Sequence, residues 1–202
     1  MTRNWALLAI GLVLATYAYA GPTSVAAPQG LSVMTHSSFH VWKVEITTDQ
    51  PLADLEMVFN DLYNWDARDN MLYVSVLDQD ALADFTFDSQ GLYVGVDQPS
   101  YGNFLDQFGA VEIGRYSDPD GPATVEDVHF AFNEQAMDTV RSSLYNNTYT
   151  FGLGIDADCT FYTGQDTAIK VTCCPVVPAP GALLLGSIGA GLVGCLSRRR
   201  VL

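Results

Sequence analysis

Residues 41–47 read Val-Trp-Lys-Val-Glu-Ile-Thr, an alternation that puts Trp42, Val44 and Ile46 on one face of an extended chain and Lys43 and Glu45 on the other. A period of two suits a strand with one buried face; a helix would space its apolar positions by three and four. The same pattern returns further along, where Leu55, Met57 and Phe59 oppose Asp54 and Glu56. Strand-like runs follow over 71–77, 83–87, 92–96, 108–116, 124–132, 147–154, 158–163 and 167–173. Turn-forming clusters separate them: Asp49-Gln50-Pro51, Asp78-Gln79-Asp80, Ser89-Gln90-Gly91, Asp118 to Pro122, Asn146-Asn147 and Gly164-Gln165-Asp166. Nine or ten short strands at this spacing predict an all-β fold, an antiparallel β-sandwich of jelly-roll or immunoglobulin-like type. One stretch departs from the pattern. Met137, Val140 and Leu144 recur at helical spacing behind Asn133, a favoured N-cap residue, and predict a short helix.

A length of 202 residues suits one domain with short targeting segments, and 49% hydrophobic against 16% charged residues excludes a disordered acidic chain. Charge is unevenly placed. Four of the nine basic residues, Arg3 and Arg198 to Arg200, lie at the two ends, while all 23 acidic residues fall between Glu45 and Asp166. A body this acidic repels phosphate backbones and anionic lipid, which excludes a nucleic-acid partner and leaves cations, metal ions or neutral glycans.

The ends read as addresses. Residues 1–20 carry Arg3, an apolar run from Trp5 to Thr16, and Ala18-Tyr19-Ala20, the three parts of a secretory signal peptide cut by signal peptidase after Ala20, with Ala18 as the second small residue. Residues 21–38, rich in Gly, Pro, Ser, Thr and Ala, read as a linker; 39–174 form the sandwich domain and 175–202 the tail. From Pro180 to Leu196 run 17 uncharged residues, the low end of what a membrane-spanning helix needs. Arg198, Arg199 and Arg200 follow immediately and fix that end on the cytoplasmic side, so the body faces outward.

The tail resembles a PEP-CTERM sorting signal, the combination of a Pro-rich motif, one membrane helix and an arginine cluster that exosortases recognise. Val177, Pro178 and Pro180, followed by Gly181, match the short motif, 182–196 the helix, and Arg198 to Arg200 the basic end; Ala179 stands where the family's pattern has Glu. The resemblance covers the tail alone. It implies export across an inner membrane, cleavage near the Pro-rich motif by an exosortase, and delivery to the cell surface or extracellular matrix, where such proteins accompany polysaccharide.

Within the body, strands 158–163 and 167–173 joined by a short turn would bring Cys159 near Cys173 or Cys174, so a disulfide from Cys159 to one of them is expected in an oxidising compartment. Cys195 belongs to the apolar tail, and no Cys-x-x-Cys pair points to zinc. Asp118, Asp120, Glu126 and Asp127 around a Pro/Gly turn offer oxygen ligands for calcium, and Asp66, Asp69 and Asn70 form a second oxygen-rich group. Tyr63, Trp65 and Tyr73 flank that group, and Tyr101 and Phe104 sit in a Gly/Pro/Asn loop; aromatic faces in such places can stack on sugar rings. His36, His40 and His129 are few, and no nucleophile elbow, zinc-binding His-Glu-x-x-His or phosphate loop occurs. The expectation is a non-enzymatic structural or adhesion protein, with a carbohydrate-binding module, possible calcium included, as the alternative.

Overall fold

The computed structural model describes residues 23–68, 70–96 and 102–173. They form twelve strands and one α-helix in the order β1 (Thr23–Ala26), β2 (Val33–Met34), β3 (Ser38–Thr47), β4 (Leu52–Asn64), β5 (Met71–Leu77), β6 (Leu92–Val96), β7 (Val111–Ser117), β8 (Glu126–Ala131), α1 (Glu134–Ser142), β9 (Leu144–Tyr145), β10 (Thr148–Ala157), β11 (Phe161–Tyr162) and β12 (Ala168–Cys173). All pairings are antiparallel and fall into two sheets. The first joins β1, β12, β4, β11 and β2, with β8 also on β4; the second runs β6-β3-β10-β5-β7, with β9 on β10.

The alternation at 41–47 becomes β3, and Trp42, Val44 and Ile46 enter the core between the sheets. Leu55, Met57, Phe59 and Leu62 of β4 meet them from the other side, with Leu72, Val74, Val76, Phe151, Leu153 and Ile155 completing the centre. Each such side chain contributes about 1.5–3 kcal/mol by leaving water. The predicted helix forms, capped by Asn133, whose Oδ1 accepts the Ala136 N–H at 2.9 Å, and it buries Met137 and Val140. Leu144 lies beyond it in β9 and is exposed. Asn146 and Asn147, both at positive φ, make the two-residue turn from β9 into β10.

Several expectations are corrected. Residues 23–34 of the expected linker belong to the domain: β1 pairs with β12, β2 pairs with β11, and Leu31 and Met34 are buried. Small and polar composition described an edge strand with a bow in it as well as a linker. The expected strand 83–87 is a 3-10 turn, Ala81–Asp84, followed by irregular chain that drops Leu82 and Phe85 onto the outer face of the second sheet. There they join Phe39, Val41, Leu77 and Leu105 in a second apolar cluster. Gly152 and Gly154 of β10 face this layer, where an added Cβ would stand 2.7 Å from Leu82 and 2.5 Å from Leu105.

The expected hairpin 158–163/167–173 does not form. β11 and β12 both run antiparallel to β4, Tyr162 opposite Tyr63 and Ala168 opposite Val58, so they continue each other along β4. Between them residues 163–167 bow out, tied down by the Thr163 Oγ1–Thr167 Oγ1 hydrogen bond of 2.7 Å and by Gly164 N–H donating to Asn60 O. Residues 27–32 bow out between β1 and β2, and β4 bulges between Phe59 and Leu62, with Asp61 at φ 53°. Three neighbouring strands thus break at one level. Counting each interrupted pair as one row, the first sheet has the order β1/β2, β12/β11, β4, β8.

Among the described residues no helix is long and apolar enough to cross a membrane. The signal segment with Ala18 and Ala20, Cys174, the motif Val177, Pro178, Pro180 and Gly181, the run 180–196 and Arg198 to Arg200 lie outside the described residues.

Candidate functional site: an aromatic ledge

The register of the first sheet places Val33 of β2 opposite Tyr162 of β11, and Tyr162 opposite Tyr63 of β4. Their neighbours Met34, Phe161, Leu62 and Asn64 are fully buried, so alternation turns these three side chains to the outer face. The Tyr63 and Tyr162 rings stack with centroids 5.1 Å apart and planes 17° from parallel. Val33 is 40% exposed, and Trp65, two residues beyond Tyr63, is 54% exposed. Trp65 is held at two points: its backbone N–H donates to Thr160 O at 3.1 Å and its indole N–H to Cys159 Sγ at 3.0 Å. Two strand spacings make the row about 10 Å wide. It is a fixed, partly apolar ledge with tyrosine hydroxyls available to donate and accept.

Of the expected platform, Tyr63 and Trp65 come together and Tyr73 does not. Tyr73 lies on the outer face of the second sheet, nearly buried, with the Arg115 guanidinium 6.0 Å from its ring centre. Burial, then Asp158, raises its hydroxyl pKa. Phe104 packs on Phe39 at 4.9 Å in the second cluster and is not a loop aromatic, while Tyr101 lies outside the described residues. Tyr162 and Val33 were missed because their part depends on β11 lying along β4, and nothing in the local pattern of 158–163 fixes that partner.

The calcium constellation does not assemble. Asp118 is 2% exposed, and its carboxylate is taken by backbone: Oδ2 accepts Asn64 N–H at 2.8 Å, and Oδ1 accepts Gly121 N–H at 2.9 Å and Asp120 N–H at 3.2 Å. It fastens the turn after β7 to the end of β4. Asp127 caps the β4 bulge through Asp61 N–H, and Glu126 and Asp120 are exposed. Burial first, then the negative charge of Asp118, Glu126 and Asp120, pushes the Tyr116 hydroxyl up to about 12. Asp66 is paired with Arg68, and Asp69 lies outside the described residues. Among the described residues no three His, Cys, Asp or Glu side chains gather as a metal site would need.

The bridge from Cys159 to Cys173 is excluded by the same topology that removes the hairpin. Cys159 sits under Trp65 at the Asn64 end of β4, whereas Cys173 pairs with Leu52 at the opposite end. A strand of 13 residues spans about 40 Å, against a Cα separation of at most about 7 Å for a disulfide. Both are free thiols, Cys159 buried and Cys173 half-buried beside Thr48.

His129 finds Glu56 of β4 as its carboxylate partner. His129 Nδ1 lies 3.2 Å from Glu56, which also faces Lys170 at 3.7 Å, on the outer surface of the first sheet. His40 is 3% exposed on β3, its Nδ1 without a hydrogen-bond partner, and burial lowers its pKa to about 4.

No protein-family model, no curated protein and no solved structure matches this chain.

Proposed function

We infer that this chain is an exported, cell-surface or matrix-associated jelly-roll domain that adheres to extracellular polysaccharide through the aromatic ledge. The single observation that carries the adhesive role is the row Val33–Tyr162–Tyr63 extended by Trp65, a half-exposed pair of stacked rings flanked by an exposed valine and an exposed, anchored indole. Export and sorting rest on the sequence of the two ends: the signal-peptide pattern of 1–20 and the PEP-CTERM-like tail, whose exosortase would release the domain near Pro178. The jelly-roll reading is supported by strand order. With the interrupted pairs counted as single rows, and with the extra edge strand β6 and the two-residue β9 set aside, the first, eighth, third and sixth rows in chain order line up in one sheet. The second, seventh, fourth and fifth line up in the other. That is the order two nested Greek keys generate, and lectin domains use it, which is an analogy of fold and not of site.

The charge balance, 23 acidic residues against nine basic ones, favours a neutral polymer over an anionic one. In this reading the domain binds and does not catalyse, needs no cofactor, and meets the membrane only through its tail before processing. Affinity electrophoresis of the purified protein through gels containing neutral polysaccharides tests the adhesive claim. Retardation that disappears in Tyr63→Ala and Trp65→Ala proteins is expected; equal retardation of all three, or none for the native protein, would refute it.

A further inference from the structure

The bows at 27–32 and 163–167 separate two strands that are otherwise joined. The ladder closes below them with Ala27 N–H donating to Thr167 O at 2.9 Å and above them with Thr163 N–H donating to Ser32 O at 3.1 Å. Between these bonds lies an eye-shaped cleft of about 510 Å³, within the range of small-molecule sites. Its lining includes Gln29, Ser32, Thr163, Gln165, Thr167 and Leu31, and none of the lining residues is charged. The ledge adjoins it along both chains: Ser32 precedes Val33, and Thr163 follows Tyr162.

We propose that this cleft is a binding site for one unit of an uncharged, polyhydroxylated ligand, a neutral sugar residue whose neighbours in the chain run onto the ledge. The lining holds no cation to pair with phosphate or carboxylate, and no carboxylate, imidazole or thiol to hold a metal. Five hydroxyl or amide side chains in so small a space disfavour a lipid. What remains is a ligand with many donors and acceptors and no charge. Gln29 and Gln165, both exposed, can each give and take a hydrogen bond, while the Thr163 hydroxyl, donating to Asn60 O, and the buried Thr167 hydroxyl, bonded to Thr163 and Gly164 O, brace the bow that carries Gln165. The interruption of three strands at one level also gains a purpose here: an unbroken ladder would leave no cleft.

This inference rests on the polysaccharide reading, and the test separates the two. Isothermal titration of the full-length protein in detergent is run against a panel of neutral oligosaccharides derived from dextran, mannan and galactan. The comparison set is a Gln29→Ala/Gln165→Ala protein, a Gln165→Trp protein that fills the cleft, and Tyr63→Ala. Affinity lowered at least tenfold in both cleft variants, with their urea midpoints unchanged, is the expected result. Binding lost in Tyr63→Ala but unaltered in both cleft variants would overturn the cleft while leaving the ledge in place. Binding by no member of the panel would overturn the polysaccharide reading and the cleft with it.

Discussion

His40 makes the domain's stability depend on pH in a defined window. It shares the inner face of β3 with Trp42 and Val44, lies opposite Ile155 of β10, and has no hydrogen-bond partner for Nδ1. Burial holds its pKa at about 4 against 6.5 for the free side chain. Well above pH 6.5 the ring is neutral whether the chain is folded or not, and the group contributes nothing to the pH dependence. Below 6.5 the unfolded chain takes up a proton that the folded one refuses, so stability falls with pH until the folded ring also titrates near 4. The whole gap corresponds to about 3.4 kcal/mol at about 1.36 kcal/mol per pH unit; at pH 5 about 2 kcal/mol of it is already lost. With a urea dependence of about 2 kcal/mol per molar, that is a fall of about 1 M in the unfolding midpoint between pH 7.5 and pH 5. The informative comparison is with His40→Leu, close in volume and needing no hydrogen bond. Its midpoint should lack this 1 M component. Parallel pH profiles for the two proteins would refute the reasoning.

Other outcomes follow from the packing. Gly154→Ala drives a methyl into Leu105 and should destabilise by about 1–3 kcal/mol, read as a lower urea midpoint with unchanged slope. Asp118→Ala leaves three backbone N–H groups without their acceptor and should cost about 3 kcal/mol, whereas adding a chelator to the native protein should leave its melting temperature where it was. Reduction should not lower the melting temperature, and alkylation under native conditions should reach Cys173 before Cys159, whose thiol modifies only on unfolding; peptide mass mapping reads both.

Much of the fold could be read along the chain because it is local. Alternation in β3 and β4, the Asn133 cap and the Asn146-Asn147 turn each depend on a few neighbouring residues, and each appears where expected. Misreadings arose where a segment's partner lies far off in sequence. Gly164-Gln165-Asp166 has the composition of a hairpin turn, yet it closes a bow, because β11 and β12 find their hydrogen bonds on β4 about 100 residues earlier. The Cys159–Cys173 pairing fell with that hairpin, Cys174 lying outside the described residues, and Tyr162 was overlooked for the same reason. Tyr73 was misplaced because neighbours in sequence across the β4–β5 connection end in different sheets. The second apolar cluster left only a faint trace: β3 is buried on both faces from Phe39 to Trp42, and Gly152 and Gly154 are small where side chains from two loops must approach. Abundant aspartates suggested calcium, but Asp118 satisfies backbone amides, a use that composition does not distinguish from ligation.

The central claim, an exported domain released to the surface or matrix, is tested most directly by the intact mass and location of the mature protein in the cells that make it. The account predicts a product that begins at Gly21, ends near Pro178 and is recovered outside the membrane with the polysaccharide fraction. A cytoplasmic product that retains both Met1 to Ala20 and Arg198 to Arg200 would contradict it.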